Sequence, residues 1–370
     1  MTSSRPALIL LNGLTTLDAR VWERSRERDI SPDDILRGDG KTCTALGIPE
    51  ASARALAELA ASGFHETEQE RADRENVRIV TYDDTAYPDA LRSLSDAPLA
   101  LYIAGKWPLC APTAVVGTRK CSSYGRAVGM ALGRAIAQIG GTVLSGGALG
   151  IDASAHEGCL DAGGTTAAVL GTGPDVVYPR GHERLYRRIL EGGGVITEYP
   201  FGTGPKTWLF PRRNRIIAGL AERLAVVEAP MKSGAMITAR LALEYGRDVW
   251  AVPGRIDEEC GRGTNRLIAD GAIPLVDIGE FASIISNGQL SLFSEPSARE
   301  AISNGMTDEE EKILHILEKN VHQTVDNIAA EGTMTAADVL SGLAVLAARS
   351  LIYQSGPGRW SAAPGIRKQP

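Results

Sequence analysis

The sequence predicts an α/β fold: a Rossmann-like parallel sheet core, a small helical N-terminal domain and a C-terminal winged-helix domain. Three observations predict it. Between residues 113 and 276, seven short apolar runs rich in β-branched residues alternate with helical patterns, as in a parallel sheet covered on both faces. Most of these runs end in a turn of small residues, such as Gly117-Thr118-Arg119 or Ser145-Gly146-Gly147. Ligands of such sheets sit beyond the carboxyl ends of the strands. Residues 307–370, finally, read as three helices followed by two short extended runs.

Length and composition set the outer bounds. At 370 residues the chain is expected to hold two or three domains. A hydrophobic content of 44% and a charged content of 23% are ordinary for a globular protein. The formal net charge of −6 means that any nucleic-acid site is a local basic patch on an acidic body. The five cysteines, Cys43, Cys110, Cys121, Cys159 and Cys260, form no C-x-x-C pair. That argues against a zinc site or disulfide framework and fits a reducing compartment. No signal-peptide core and no run of about 18–20 apolar residues is present, so no membrane association and a cytoplasmic location are expected.

Residues 1–75 read as short helices, one of them an alanine-rich stretch over 51–61 behind Pro49. Gly40-Lys41-Thr42 imitates the end of a P-loop, but that pattern requires glycine at position 35, which is Ile35. Residues 76–280 form an extended Rossmann-like domain with its core at 113–276. It opens on extended pieces at 77–81 and 97–104. The core strands are expected at 114–116, 142–144, 166–170, 194–198, 224–228, 248–252 and 273–276. Helices are expected at 124–139, 152–162, 182–190, 215–221, 235–245 and 265–271. Residues 281–306 lose periodicity and read as a linker. In the last unit Thr307 and Glu310 have capping-box spacing. Three helices and a hairpin suggest a winged helix. This unit carries eight acidic and six basic residues, a net of −2, which favours protein contact or dimerisation over groove reading.

The stretch 205–215, PKTWLFPRRNR, contains Lys206, Arg212, Arg213 and Arg215, no acid, and the aromatics Trp208 and Phe210. Cations beside flat rings suit single-stranded nucleic acid, which is anionic along its length and offers π-faces. Arg-rich loops also pair with carboxylates, and both rings also suit a core. Two further turns have anion-binding chemistry. Arg119, followed by Ser122 and Ser123 before a helix, joins a guanidinium to helix-start amides. Ser145, Gly146 and Gly147 form a second cradle, with Asp152 as a helix cap or a partner for Arg119. Ser233 and Gly234 offer a third set of amides. No G-x-G-x-x-G occurs in the Rossmann region, so no dinucleotide cofactor is expected. The histidines show no H-E-x-x-H spacing, and Ser145 lies outside G-x-S-x-G. His156 beside Glu157 reads as a surface helix pair. No metal and no enzyme activity are expected.

In this order the turns resemble the DNA-processing protein A family, also called DprA or Smf. The matching residues include Gly117-Thr118-Arg119, Ser145-Gly146-Gly147-Ala148 with Gly150-Ile151-Asp152, and Tyr178-Pro179. They continue with Glu198-Tyr199-Pro200, Phe210-Pro211-Arg212-Arg213-Asn214-Arg215, Val227-Glu228-Ala229-Pro230 and Ser233-Gly234. The resemblance runs from about residue 82 to 276. It implies a homodimeric single-stranded DNA-binding mediator that helps load the RecA recombinase onto incoming strands during natural transformation. By motif position it implies DNA contact through Arg119, Arg180, Arg212, Arg213, Asn214 and Arg215, to which the cradle turns add Ser145, Gly146, Ser233 and Gly234. Lys206 and Phe210 are added by charge and aromatic character. The sequence departs from the family at Leu149, where an arginine is usual, and in its N-terminal region, which lacks the family's glycine-flanked helical hairpin.

Two other readings compete with this one. A nucleotide phosphoribohydrolase would carry P-G-G-x-G-T-x-x-E after the fifth core strand, where this chain has A-P-M-K-S-G-A-M-I-T. A transcription regulator acting through the winged helix conflicts with that unit's negative charge.

Overall fold

The structure is a computed structural model that describes residues 3–286, 306–349 and 351–363. Its centre is a nine-stranded sheet of β1 (Val77–Thr81), β2 (Ala100–Gly105), β3 (Pro112–Val116), β4 (Thr142–Ser145), β5 (Thr165–Val169), β6 (Gly194–Thr197), β7 (Arg223–Val226), β8 (Asp248–Ala251) and β9 (Ile273–Pro274). The order is β1-β2-β6-β5-β4-β3-β7-β8-β9. The seven strands from β6 to β9 are parallel, as the alternating pattern requires. β1 and β2 extend the sheet as antiparallel strands on the β6 edge.

This order positions the site. From β3 the chain steps outward through β4, β5 and β6, then returns so that β7 lies on the other side of β3, with Val116 opposite Val226. The strand order therefore reverses between β3 and β7, and a crevice opens at their carboxyl ends. Apolar β-branched runs make these strands: Ala114, Val115, Leu144, Leu224, Ala225 and Val226 are fully buried. Helix Ser123–Gln138 packs against helix Ile151–Asp161 closely enough that a Cβ on Gly133 would meet the Ala155 carbonyl oxygen at 2.1 Å.

Six short helices precede the sheet. Gly40-Lys41-Thr42 opens one of them, capped by the Asp39 carboxylate on the Thr42 N–H at 2.7 Å. Leu8, Leu11, Trp22, Ile35 and Leu56 belong to the same apolar cluster as Leu101 and Ile216, so these helices rest on the sheet's own core.

The differences from the sequence reading that bear on the site lie in three helices. The helix expected at 215–221 runs over Leu209–Leu220, so the basic stretch is largely helical. Pro211 is tolerated because it stands in the first turn, where its missing N–H has no intrahelical partner to lose. The helix expected at 265–271 begins earlier, at Glu259. Helix Ile278–Ile285 occupies the start of the expected linker, and 287–305 lie outside the described residues.

The C-terminal unit contains helices Asp308–Lys319, Val325–Gly332 and Ala336–Ala348, with strands β10 (Gln323–Thr324), β11 (Ile352–Gly356) and β12 (Arg359–Ala362). The antiparallel order is β10-β12-β11. Thr307 and Glu310 form the expected capping box. Ile313, Leu317, Ile328, Val339 and Leu343 build a separate core. The unit meets the sheet domain where the Ser123 hydroxyl donates to the Gln354 carbonyl at 3.0 Å and the Tyr124 and Tyr353 rings lie 5.6 Å apart. Among the described residues no helix is long and apolar enough to cross a membrane.

Candidate nucleic-acid interface

A cleft of about 1330 Å³ lies across the switch point, walled by the turns after β3, β4, β5, β7 and β8 and by helix Leu209–Leu220. Arg119 extends from the first turn and is exposed. Its guanidinium carbon lies 5.4 Å from the centroid of the Phe210 ring, and Phe210 lies 5.3 Å from the half-exposed ring of Tyr178. Among the described residues Arg119 has no carboxylate within ion-pair distance. A free cation on an accessible aromatic pair can meet a phosphate and a base together.

Two of the three expected anion cradles are already filled. At the start of helix Ser123–Gln138, Glu228 accepts from the Ser122 N–H at 2.9 Å and from its hydroxyl at 2.5 Å. The carboxylate supplies the charge that an outside phosphate was expected to bring. After β4, Asp152 Oδ2 accepts from the N–H groups of Gly146 at 3.1 Å and Ala148 at 3.4 Å. Gly146 has no room for a Cβ, which would meet Arg213 Nη2 at 2.6 Å. Ser145 is fully buried and donates its hydroxyl to the Val115 carbonyl at 2.6 Å. Ser145 and Gly146 are therefore structural, which corrects the sequence reading. The third turn stays open: Gly234 is exposed, and a Cβ there would meet only Asn214 Nδ2, at 3.9 Å. Ser233 caps its own helix through the Met236 N–H.

The basic stretch divides by helical geometry, because neighbouring residues on a helix face different ways. Arg213 is 4% exposed and donates to the carbonyls of Gly146 and Val169. Arg215 is 3% exposed and donates to Glu198 at 2.7 Å, with Asp96 at 3.2 Å. Asn214 is buried and donates to the Gly234 carbonyl at 3.2 Å. Arg213 and Asn214 line the cleft with their polar groups engaged inside the chain, and Arg215 is buried in its ion pair outside the cleft lining. The structure thus gives these three intramolecular partners where the sequence reading had strand contacts. Arg212 donates to the carbonyls of Thr16 and Leu17 and lies 3.6 Å from Glu198, which ties helix Leu209–Leu220 to the N-terminal helices. Lys206, Trp208 and Arg180 are exposed, Arg180 on a short 3₁₀ turn. Leu149 is exposed beside Arg119, Tyr178 and Phe210, so the position usually basic in the family adds apolar surface here.

Electrostatics agrees with this division. Burial pushes the Asp152 carboxyl up, while Arg213 and the Ala148 and Gly146 N–H groups pull it down and leave it raised. Burial lowers the Arg213 pKa, with Asp152 opposing. Burial also works against the Arg215 cation, but Glu198 and Asp96 hold its pKa above the usual value. His156 is buried rather than surface-lying, bonded through Nδ1 to the Thr166 hydroxyl at 2.6 Å, and burial pushes its pKa down to about 3.

Three exposed cations of the cleft were not read in the sequence: Lys120, Lys232 and Arg240. Lys120 follows Arg119 directly. Lys232 lies in the turn before helix Gly234–Glu244 and Arg240 lies within that helix. Their charge around Ser233-Gly234 was the available signal.

Comparison with known proteins sets this geometry in context. The profile of the family described as DNA recombination-mediator protein A matches residues 78–286. The Smf protein of Synechocystis is 33% identical over 81% of this chain and 82% of its own length. The crystal structure of DNA processing protein A from Streptococcus pneumoniae aligns with a TM-score of 0.59 and 31% identity, covering 76% of this chain and 95% of that one. DNA processing protein A from Helicobacter pylori, solved for its single-stranded DNA binding mode, aligns with a TM-score of 0.52 and 29% identity over 57% of this chain and 96% of that one.

Proposed function

Because this chain belongs to the DNA recombination-mediator protein A family, also named DprA or Smf, we propose that its switch-point cleft binds single-stranded DNA. The observation that carries the reading is Arg119, exposed, without a carboxylate partner among the described residues and seated on Phe210. A phosphate meets the guanidinium, and a base stacks on the Phe210 and Tyr178 rings. Lys206, next to the cleft-lining Thr207, and Arg180, two residues after the cleft-lining Tyr178, are exposed cations that extend the surface, and Gly234 offers an open backbone in the cleft.

The protein acts in the cytoplasm as a homodimer that delivers bound strands to RecA. It performs no covalent chemistry. Supporting this, the buried carboxylates at the cleft, Asp152 and Glu228, are held by backbone N–H groups rather than poised over open space. The C-terminal unit, with its net negative charge and winged-helix order of elements, serves as a protein-contact module.

The reading is tested by following RecA nucleation on long single strands. The intact protein accelerates nucleation and Arg119→Ala does not. Equal acceleration by both proteins contradicts the site, and release of free base from nucleoside monophosphates contradicts the non-enzymatic role.

A further inference from the structure

Building on the reading that the Arg119 end of the cleft takes single strands, we propose that the opposite wall binds a second segment of the same strand. That wall is formed by Lys232 and Arg240, with Lys120 beside Arg119 on the β3 turn. All three are exposed, line the same continuous cleft as Arg119 and Phe210, and have no ion pair among the described residues.

The wall arises from the topology. β3 and β7 run side by side, and their turns are joined where the Thr118 N–H donates to the Glu228 carbonyl at 2.7 Å. The β3 turn brings Arg119 and Lys120 to one point, while the β7 turn leads through Lys232 into helix Gly234–Glu244. Lys232 lies in the turn before that helix and Arg240 lies within it, and both line the cleft. Met231 and Ile237, 49% and 40% exposed, lie on the same wall.

Cations interleaved with accessible apolar surface repeat the chemistry of the Arg119 end, with aliphatic groups in place of rings. Such a surface suits alternating phosphates and base faces. Exposed Met and Ile are otherwise a poor choice beside water. Two acids share the wall. Glu258 is engaged by Arg255 at 3.3 Å, which leaves Glu259 against Lys232 and Arg240. Gly234 between Lys232 and Arg240 leaves space for a backbone phosphate to approach.

The test uses the full chain and a ladder of oligothymidylates of increasing length, titrated at several salt concentrations. The intact protein gains affinity with length until both walls are covered. Lys232→Ala/Arg240→Ala is expected to bind the shortest retained oligomer like the intact protein and to lose the gain at greater length. Its salt slope on the longest strand falls by about 1.4, two contacts of about 0.7 each. Lys232→Arg/Arg240→Lys keeps the gain. Identical curves for the Ala variant and the intact protein overturn the proposal while leaving the Arg119 reading intact. An equal loss at every length, the shortest included, also overturns it. If the intact protein binds no strand of any length, the reading of the whole cleft falls with it.

Discussion

Arg119 and Phe210 reach each other from different strands of the sheet, one from the turn after β3 and the other from the helix after β6, with 5.4 Å between guanidinium carbon and ring centroid. The contact holds a cation in position with no carboxylate among the described residues to neutralise it. Replacing either partner therefore affects a different part of the ligand. Arg119→Ala should lower the salt slope of single-strand binding by about 0.7. Phe210→Ala should cost about 1–3 kcal/mol of affinity at each salt concentration and leave the slope unchanged. Fluorescence anisotropy over a salt series reads both. A slope unaffected by Arg119→Ala would remove Arg119 from the phosphate path.

Arg215 makes the opposite prediction. It is buried with Glu198, which is itself 4% exposed. Removing one member of a buried pair leaves the other charge uncompensated and costs about 3–5 kcal/mol. Arg215→Ala should therefore lower the urea midpoint strongly. Arg119→Ala, at an exposed position, should stay within about 0.5 kcal/mol. Comparable stability in the two variants would show that the Glu198 pair is not structural.

This contrast marks how far the sequence could be read. The parallel strands were legible because fully buried strands show as unbroken apolar runs, and the turns after β3, β4 and β7 stood out by their small residues. The roles within Phe210-Pro211-Arg212-Arg213-Asn214-Arg215 were not legible. A run of cations without acids looks like a surface, and its partners lie far away: Glu198 on the chain leaving β6, Gly146 after β4, and Thr16 near the N-terminus. Pro211 also concealed the helix that turns Arg213 and Arg215 inward. The Gly146 and Ala148 amides looked like an anion site and are one, but the anion is Asp152 of the same chain.

His156 gives a pH signature. Its pKa, about 3 in the folded protein, lies below the ordinary 6.5. The unfolded chain therefore takes up this proton first as pH falls. The stability contributed by neutral His156 is complete above pH 6.5 and declines progressively toward pH 3. Unfolding measured between pH 7 and pH 5 should show that decline, and His156→Gln should flatten it while lowering stability throughout because the Thr166 bond changes. An unchanged slope in the variant would place the decline on another group.

Gly125 is restricted by the helix cap beneath Arg119. A Cβ there would lie 2.4 Å from the Glu228 carboxyl carbon, so Gly125→Ala must displace the carboxylate that holds Ser122. Overpacking of this kind costs about 1–3 kcal/mol. Single-strand affinity should fall as well, because the turn carrying Arg119 loses its anchor. Retained stability and affinity would mean that the cap does not fix the turn.

The most direct measurement is a titration of labelled single-stranded and duplex oligonucleotides of equal length at two salt concentrations, with the intact protein and Arg119→Ala side by side. The account predicts a salt-sensitive preference for single strands in the intact protein, weakened and less salt-dependent in the variant. Equal affinity for single and double strands, or a preference that Arg119→Ala leaves untouched, would contradict it.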